Sequence, residues 1–147
     1  MIRAADWVGH AQSTLARSGH RASAPRAAVV AALAELGCSV TAKEISDHLV
    51  EDGQDVGLAS IYRALELLER LRLARRVDAG EGVARYEPVD PGGAHHHHLV
   101  CDSCGEVVAF EDVELEQAIA RLARRVPYSV DAHDVTLRGA CPACTRD

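Results

Sequence analysis

The sequence predicts an α+β fold in two parts, in which four helices and a small hairpin precede a smaller mixed part of strands and one helix. Apolar residues recur at helical spacing through the first half, and two strand-like runs flank a glycine-containing turn near residue 80. Two Cys-x-x-Cys pairs lie in the second half. With 147 residues the chain can form one medium domain or two small ones, and a small domain needs a metal or a partner subunit for stability.

Two helices are predicted before residue 40. Trp7, Ala11 and Leu15 lie four residues apart and predict a first amphipathic helix that stops near Ser18. Ser23 is a plausible N-cap for a second helix, which has Pro25 in its first turn and ends at Gly37. Four residues form its predicted apolar face: Val29, Val30, Leu33 and Leu36.

Two further helices follow. Thr41 and Glu44 have the spacing of a capping box, so a third helix begins there and continues its apolar face through Ile45 and Leu49. After the polar segment 51–57, a fourth helix is predicted from three residues at helical spacing: Ile61, Leu65 and Leu68.

Residues 73–77 and 83–87 are short strand-like runs on either side of the turn 78–82, whose glycines suit a hairpin. Helices followed by a small hairpin describe a winged helix-turn-helix. Proline and glycine in the segment 88–94 predict an interdomain hinge, which divides the chain into domains 1–87 and 95–147.

The second domain is predicted to be a small α/β unit. Residues 98–100 and 107–110 resemble two strands, residues 113–126 a helix, and residues 129–140 a last strand that leads into the second cysteine pair.

The net charge of −6 is unevenly distributed along the chain. Residues 1–77 contain ten basic and nine acidic residues, whereas residues 78–147 contain six and thirteen. The near-neutral first part has clustered arginines, so the overall acidity does not exclude DNA as a partner. No apolar run is long enough to span a membrane and no secretory signal is visible, which predicts a cytoplasmic protein without a membrane partner.

The two Cys-x-x-Cys pairs give the strongest chemical signal. Their members are Cys101 and Cys104 in the first pair, Cys141 and Cys144 in the second. Each spacing lets two thiolates face one tetrahedral zinc ion, and four sulfur ligands describe a closed structural site. Disulfides are the alternative, disfavoured in a cytoplasmic chain. A closed site has no open position for a substrate, so we do not expect an enzyme.

Four consecutive histidines, residues 95–98, lie just before the first cysteine pair. On an extended segment His96 and His98 would face one side, and His95 and His97 the other, so the run can serve two metal sites. Candidate carboxylate and imidazole partners are Glu87 for the first face, and Glu116 and His133 for the second. The alternative is a solvated polar linker.

The remaining histidines and the fifth cysteine carry weaker signals. Cys38, after Gly37, is more often a small buried residue than a ligand. The isolated histidines are assigned no chemistry: His10, His20 and His48.

A DNA-reading surface is predicted on the fourth helix. Near its start Tyr62 offers an aromatic face for thymine methyl groups, and Arg63 offers a guanidinium fork for guanine or phosphate. Arg21 could reach a phosphate or the minor groove. The alternative is a solvated arginine surface, and the winged helix-turn-helix favours DNA.

Four stretches of the chain resemble the Fur (ferric uptake regulator) family of bacterial metalloregulators. They are residues 19–26 (GHRASAPR), 57–65 (GLASIYRAL), 84–87 (ARYE), and 95–104 together with the Cys141 to Cys144 pair. Their order and combination are specific, and the resemblance covers nearly the whole chain.

The resemblance implies a homodimer that binds an AT-rich palindromic double-stranded DNA operator when loaded with a regulatory divalent metal, which could be zinc, iron(II), manganese(II) or nickel(II). Such a regulator usually represses metal-uptake or stress-response genes. Ser60, in the second stretch, is then a further DNA contact.

The resemblance also implies three metal sites. A structural zinc ion would take the four cysteines of the two pairs. A second site would use His95, His97, Glu116 and His133, and an interdomain regulatory site would use Glu87, His96 and His98.

Two departures from the family concern the regulatory site. Many iron- or peroxide-sensing members have a histidine where this chain has Cys38 and Ser39, and many have a carboxylate near Ala109. Replacement of that histidine by Cys38 is an open alternative. Zinc-sensing members often have a cysteine near the position of Glu87. Alternative functions are a peroxide sensor of the same family and a zinc-storage or metal-delivery protein.

Overall fold

The chain forms two compact units, Met1–His95 and His96–Asp147, in a computed structural model that describes residues 3–80 and 82–145. Glu81, in the predicted hairpin turn, lies outside the described residues. The predicted hinge 88–94 is the end of the first unit, where the Val89 N–H donates to the Leu73 carbonyl at 2.9 Å.

The first unit is mainly helical, and its four predicted helices are confirmed: α1 (Ala4–Arg17), α2 (Ala24–Leu36), α3 (Ala42–Glu51) and α4 (Leu58–Arg70). Their apolar stripes meet in one core, where Trp7, Leu33, Ile45 and Leu65 are fully buried. The Trp7 indole N–H is satisfied inside this core by the Leu73 carbonyl, 3.2 Å away. No helix in the described part of the chain is both long and apolar enough to cross a membrane.

The helix starts differ in how they are capped. The predicted capping box of α3 is confirmed, since the Glu44 N–H donates to Thr41 Oγ1 at 3.1 Å and the Thr41 N–H donates to the Glu44 carboxylate at 2.7 Å. Ser23 stands at the N-cap of α2 as predicted, but its side chain makes no capping hydrogen bond.

The predicted burial of Leu36 is wrong, because its side chain is 36% exposed at the end of α2. The alanine-rich α2 carries apolar side chains around most of its circumference, so residue spacing does not identify its buried stripe.

A small antiparallel sheet closes the first unit. Its strands are β1 (Val40–Thr41), β2 (Ala74–Asp78) and β3 (Ala84–Pro88), in the order β1-β3-β2. The predicted hairpin is confirmed, with both strands one residue later than expected. The two residues of β1 are too few to show alternation, so the sequence did not predict this strand. Helices with this hairpin form the predicted winged helix-turn-helix.

The second unit contains a three-stranded sheet and one helix: β4 (His97–Cys101), β5 (Val107–Phe110), α5 (Val113–Ala123) and β6 (Thr136–Gly139). The central strand β4 pairs antiparallel with β5 and parallel with β6. The predicted helix is three residues too long. The predicted last strand is also wrong in extent, because only 136–139 pair with a neighbouring strand.

Candidate metal centres and nucleic-acid interface

The four paired cysteines come together in the second unit. The parallel register places Cys101, the last residue of β4, opposite Gly139 on β6, so the second pair follows beside the first. The sulfur atoms lie within 4.8 Å of one another, and the Sγ atoms of Cys104 and Cys141 are 3.8 Å apart.

Backbone hydrogen bonds hold these thiols in place. Gly105, at φ +75°, closes the first turn by donating its N–H to the Cys101 carbonyl at 2.9 Å. The Cys144 N–H closes the second turn by donating to the Cys141 carbonyl, also at 2.9 Å. Between the two loops, Arg138 donates to the Asp102 carboxylate at 3.1 Å. The donor set is therefore positioned by main chain.

The thiols of the cluster differ in pKa, which is lowered at Cys101 and raised at Cys104 and Cys144. The Cys141 backbone N–H donates to Cys101 Sγ at 3.3 Å, and this bond and others from the Cys104 and Ser103 backbone lower the pKa of Cys101 to about 6. Hydrogen bonds with Cys141, Cys104 and Cys101 raise the pKa of Cys144 to about 12, because neighbouring sulfurs share protons.

The donor set fits zinc. Sulfurs bound tetrahedrally to zinc at about 2.3 Å lie about 3.8 Å from one another, which is the distance between Cys104 and Cys141 here.

A second donor cluster includes His97, which faces the opposite side of β4 from His98. The Glu116 carboxylate on α5 is 2.5 Å from Nε2 of His97 and 3.1 Å from Nε2 of His133. The two imidazole rings are 5.3 Å apart, and His97 also packs against Phe110. His97 is almost fully buried, at 1% exposure, so its ring is held by packing as well as by Glu116. His95 is the last residue of the first unit.

The residues predicted for the regulatory site belong to both units. His96 and His98 are in the second unit, where their rings meet edge to face with centroids 5.0 Å apart. Glu87 is on β3 of the first unit and is 1% exposed.

Sequence reasoning missed the immediate surroundings of Glu87. The Cys38 thiol donates to its Oε2 at 3.2 Å, and Arg75 forms an ion pair with its Oε1. Burial and the interaction with Glu87 raise the pKa of Cys38 to about 12. The cross-strand register of the hairpin, Arg75 opposite Glu87, could have revealed the ion pair. Nothing in the local pattern around Cys38 indicates a contact 49 residues away.

Three of the four predicted DNA contacts, Ser60, Tyr62 and Arg63, lie on α4, whereas Arg21 precedes α2. Tyr62 is 43% exposed, and the Arg63 guanidinium, also exposed, donates to Ser60 Oγ at 3.0 Å. Ile61, between Ser60 and Tyr62 in the sequence, is fully buried. One face of α4 therefore packs in the core, and the face with Tyr62 and Arg63 is exposed.

Further cations flank this face. Arg26 lies beside a groove of about 700 Å³ that Arg63 and Arg70 also line. Arg26 donates to the Arg21 carbonyl at 2.8 Å, which fixes the start of α2. Glu66 and Glu69 also line the groove and offset part of the positive charge of its arginines.

A winged helix joined to a unit with a four-sulfur cluster and a His/Glu cluster defines a two-part protein equipped for metal binding. Within this class the chain belongs to the ferric uptake regulator family, whose family model matches residues 17–138. The sequence-based recognition of the family is thereby confirmed.

Curated relatives agree with this assignment. The chain is 36% identical over 106 residues to a ferric uptake regulation protein of Bacillus subtilis (strain 168), and the match covers 71% of each chain. A ferric uptake regulation protein of Bordetella parapertussis is 29% identical over 136 residues, which cover 92% of this chain and 96% of the relative.

Among solved structures, the ferric uptake regulator of Pseudomonas aeruginosa with manganese is 30% identical with a TM-score of 0.77, covering 89% of this chain and 97% of that one. The Vibrio cholerae ferric uptake regulator is 28% identical with a TM-score of 0.78 and covers 88% and 98%. The fold class is therefore that of known regulators.

Proposed function

We propose that this protein is a cytoplasmic, homodimeric, metal-dependent DNA-binding regulator that represses metal-uptake or stress-response genes. The observation that carries the proposal is the presence of an exposed arginine-bearing face on α4 and of two clusters of metal-donor side chains in one chain. The sulfur cluster would be closed around its metal and leave no position for a substrate, which argues against an enzyme.

DNA recognition would use the face of α4. Ser60 accepts a hydrogen bond from Arg63 and thereby orients the guanidinium, which can donate two hydrogen bonds to a guanine edge. Tyr62 can contact a thymine methyl group. Arg21 would bind a phosphate, which positions the helix on the duplex without reading sequence.

The two donor clusters of the second unit would be a structural zinc clamp and a second metal site. Cys101, Cys104, Cys141 and Cys144 would hold zinc through four sulfurs. His97, Glu116 and His133, joined by His95, supply the mixed nitrogen and oxygen ligands that suit a divalent transition metal.

The regulatory site would take Glu87 from the first unit and His96 and His98 from the second. The contact between Cys38 and Glu87 supports Cys38 as a fourth ligand, in place of the histidine common in the family. A thiolate ligand favours zinc over manganese(II), while imidazole and carboxylate ligands also suit iron(II) and nickel(II). When bound, the metal would fix the hinge and so the spacing of the two reading heads of a dimer.

The second unit supports a homodimer. Its apolar side chains include Val113, Leu122 and Tyr128, which are 73%, 52% and 76% exposed, and no described residue of α5 is fully buried. Exposed apolar side chains on so small a unit suit an interaction surface, and a second copy of this chain would cover part of it.

Fluorescence anisotropy tests the proposal on protein that keeps its structural zinc. Labelled duplexes would first be selected from an AT-rich palindromic library, and affinity would then be measured with zinc, iron(II), manganese(II) and nickel(II) in turn. We expect at least a tenfold gain in affinity with one metal, and the loss of that gain in His96→Ala and His98→Ala.

The matched control is His10→Ala, since His10 on α1 belongs to none of the proposed ligand sets. Metal-independent DNA affinity would contradict the regulatory role. A dimer that exchanges metal but ignores DNA at low salt would instead indicate a storage or delivery protein.

A further inference from the structure

A third group of donor side chains lies within the first unit and shares no residue with the metal sites proposed above. Glu35 is on α2, His48 is in the last turn of α3, and Asp52 is the C-cap of α3. The Nε2 atom of His48 is 2.9 Å from Glu35 Oε2 and 3.5 Å from Asp52 Oδ2. The three donor atoms lie within 4.8 Å of one another.

The backbone under these side chains is held by the core. Leu33 precedes Glu35 by two residues and is fully buried, and Ile45 and Leu49 on α3 are 0% and 2% exposed. Asp52 is positioned by its own N–H, which donates to the His48 carbonyl at 3.1 Å. His48 and Asp52 are four residues apart, a spacing that places their side chains on the same face of α3.

The charges favour a divalent cation. Two carboxylates and a protonated imidazole carry one net negative charge, whereas a divalent ion on two carboxylates and a neutral imidazole leaves none. The end of α3 adds the partial negative charge of its carbonyl groups, which attracts cations.

The spacing and chemistry fit a metal of the zinc class. Nitrogen and oxygen ligands at about 2.0–2.2 Å from a tetrahedral zinc ion lie about 3.3–3.6 Å apart. The His48–Asp52 separation of 3.5 Å is in this range, and the His48–Glu35 separation of 2.9 Å would have to widen by a few tenths of an ångström. The carboxylate side chains are 60% and 51% exposed, so water can reach the cluster and complete the coordination.

We propose that Glu35, His48 and Asp52 form an additional, solvent-accessible site for a divalent cation of the zinc class, which links α2 to α3 inside the winged helix. This site is independent of the regulatory site, since it shares no residue with it. It would couple metal availability to the stability of the DNA-reading unit itself.

Zinc binding to the full-length protein tests this proposal. Equilibrium dialysis at stepwise zinc concentrations would count bound zinc in the native chain, in His48→Gln and Glu35→Gln, and in the control His10→Gln. We expect His48→Gln and Glu35→Gln to bind one zinc ion fewer than the native chain, and His10→Gln to bind the same number. An equal number of bound zinc ions in all four proteins would overturn the proposal. The contact between His48 and Glu35 would then be an ion pair without a metal role.

Crystals of the native chain soaked in zinc chloride give a second measurement that needs no variant to fold. Diffraction at the zinc absorption edge should show an anomalous peak at about 2.0–2.2 Å from His48 Nε2 and both carboxylates. A native crystal with zinc in the four-cysteine cluster and no peak at His48 would also overturn the proposal.

Discussion

Under the proposed function, individual side chains decide whether the second unit can hold a zinc ion. The four sulfurs are non-redundant, because a structural site needs all four tetrahedral ligands. Backbone donors lower the pKa of the Cys101 thiol, whereas hydrogen bonds with the neighbouring sulfurs raise the pKa of Cys144.

We expect Cys144→Ser to lose the clamp zinc, because a serine hydroxyl is a poor ligand for zinc beside three sulfurs. Zinc content after dialysis against EDTA should fall by one ion per chain, while the control Ser103→Ala, which leaves all four sulfurs in place, should keep it. Urea unfolding followed by the fluorescence of Trp7, the only tryptophan, should be unchanged because Trp7 reports on the first unit. Retention of zinc by Cys144→Ser would contradict the assignment.

Burial separates two leucines on the same helix. Leu33 is fully buried and Leu36 is 36% exposed. We expect Leu33→Ala to lower the free energy of unfolding by about 2–5 kcal/mol and Leu36→Ala by less than about 1 kcal/mol. Urea unfolding monitored by Trp7 fluorescence measures both. Similar losses from the two variants would show that Leu36 packs more tightly than its exposure indicates.

Some residues of the candidate sites could be predicted from the sequence, and others could not. Cys-x-x-Cys spacing identifies thiol pairs because both ligands are local, and the alternation of an extended strand separates His97 from His96 and His98. The contact of Cys38 with Glu87 and the approach of Glu35 to His48 join different elements, so tertiary packing alone creates them.

Elements with strong local signals were the most predictable. The capping box defined the start of α3, and amphipathic spacing defined α1 and α4, because those signals reside within a few residues. Strand ends were less predictable. The first and last residues of β6 depend on which residues of β4 offer hydrogen-bonding partners, and the sequence of β6 does not contain this information.

The N-caps of α2 and α3, Ser23 and Thr41, allow a matched comparison of two substitutions. Thr41→Ala removes a capping hydrogen bond that is present, so we expect a loss of about 1 kcal/mol in the free energy of unfolding. Ser23→Ala removes a side chain that makes no such bond and should cost a few tenths of that amount. Urea denaturation read by Trp7 fluorescence compares them. A larger loss from Ser23→Ala would contradict the observed capping.

At the scale of the whole molecule, the charge is divided between a near-neutral first part and an acidic second part. Under the proposed function, this division would favour contact of the DNA polyanion with the near-neutral first part, because like charges repel. The net charge of the whole chain therefore says little about its DNA affinity.

Under the proposed function, we expect Arg63→Ala to weaken binding to the selected duplex by about 5- to 150-fold, the equivalent of about 1–3 kcal/mol for a lost base contact. Arg3→Ala removes the same charge from an exposed ion pair with Asp6 and serves as the control. Anisotropy titrations at two salt concentrations measure both. Equal effects would show that Arg63 contributes only general charge.

The parallel pairing of β4 with β6 also has a consequence for how the chain is made. Cys141 leaves the ribosome 40 residues after Cys101, a delay of about 2 to 8 seconds at 5–20 residues per second. During that interval only two of the four sulfurs, those of Cys101 and Cys104, have been made. Their thiols are then open to oxidants and to competing metals. Under the proposed function, synthesis speed and the cell's reducing capacity would therefore affect how many chains acquire a closed zinc clamp.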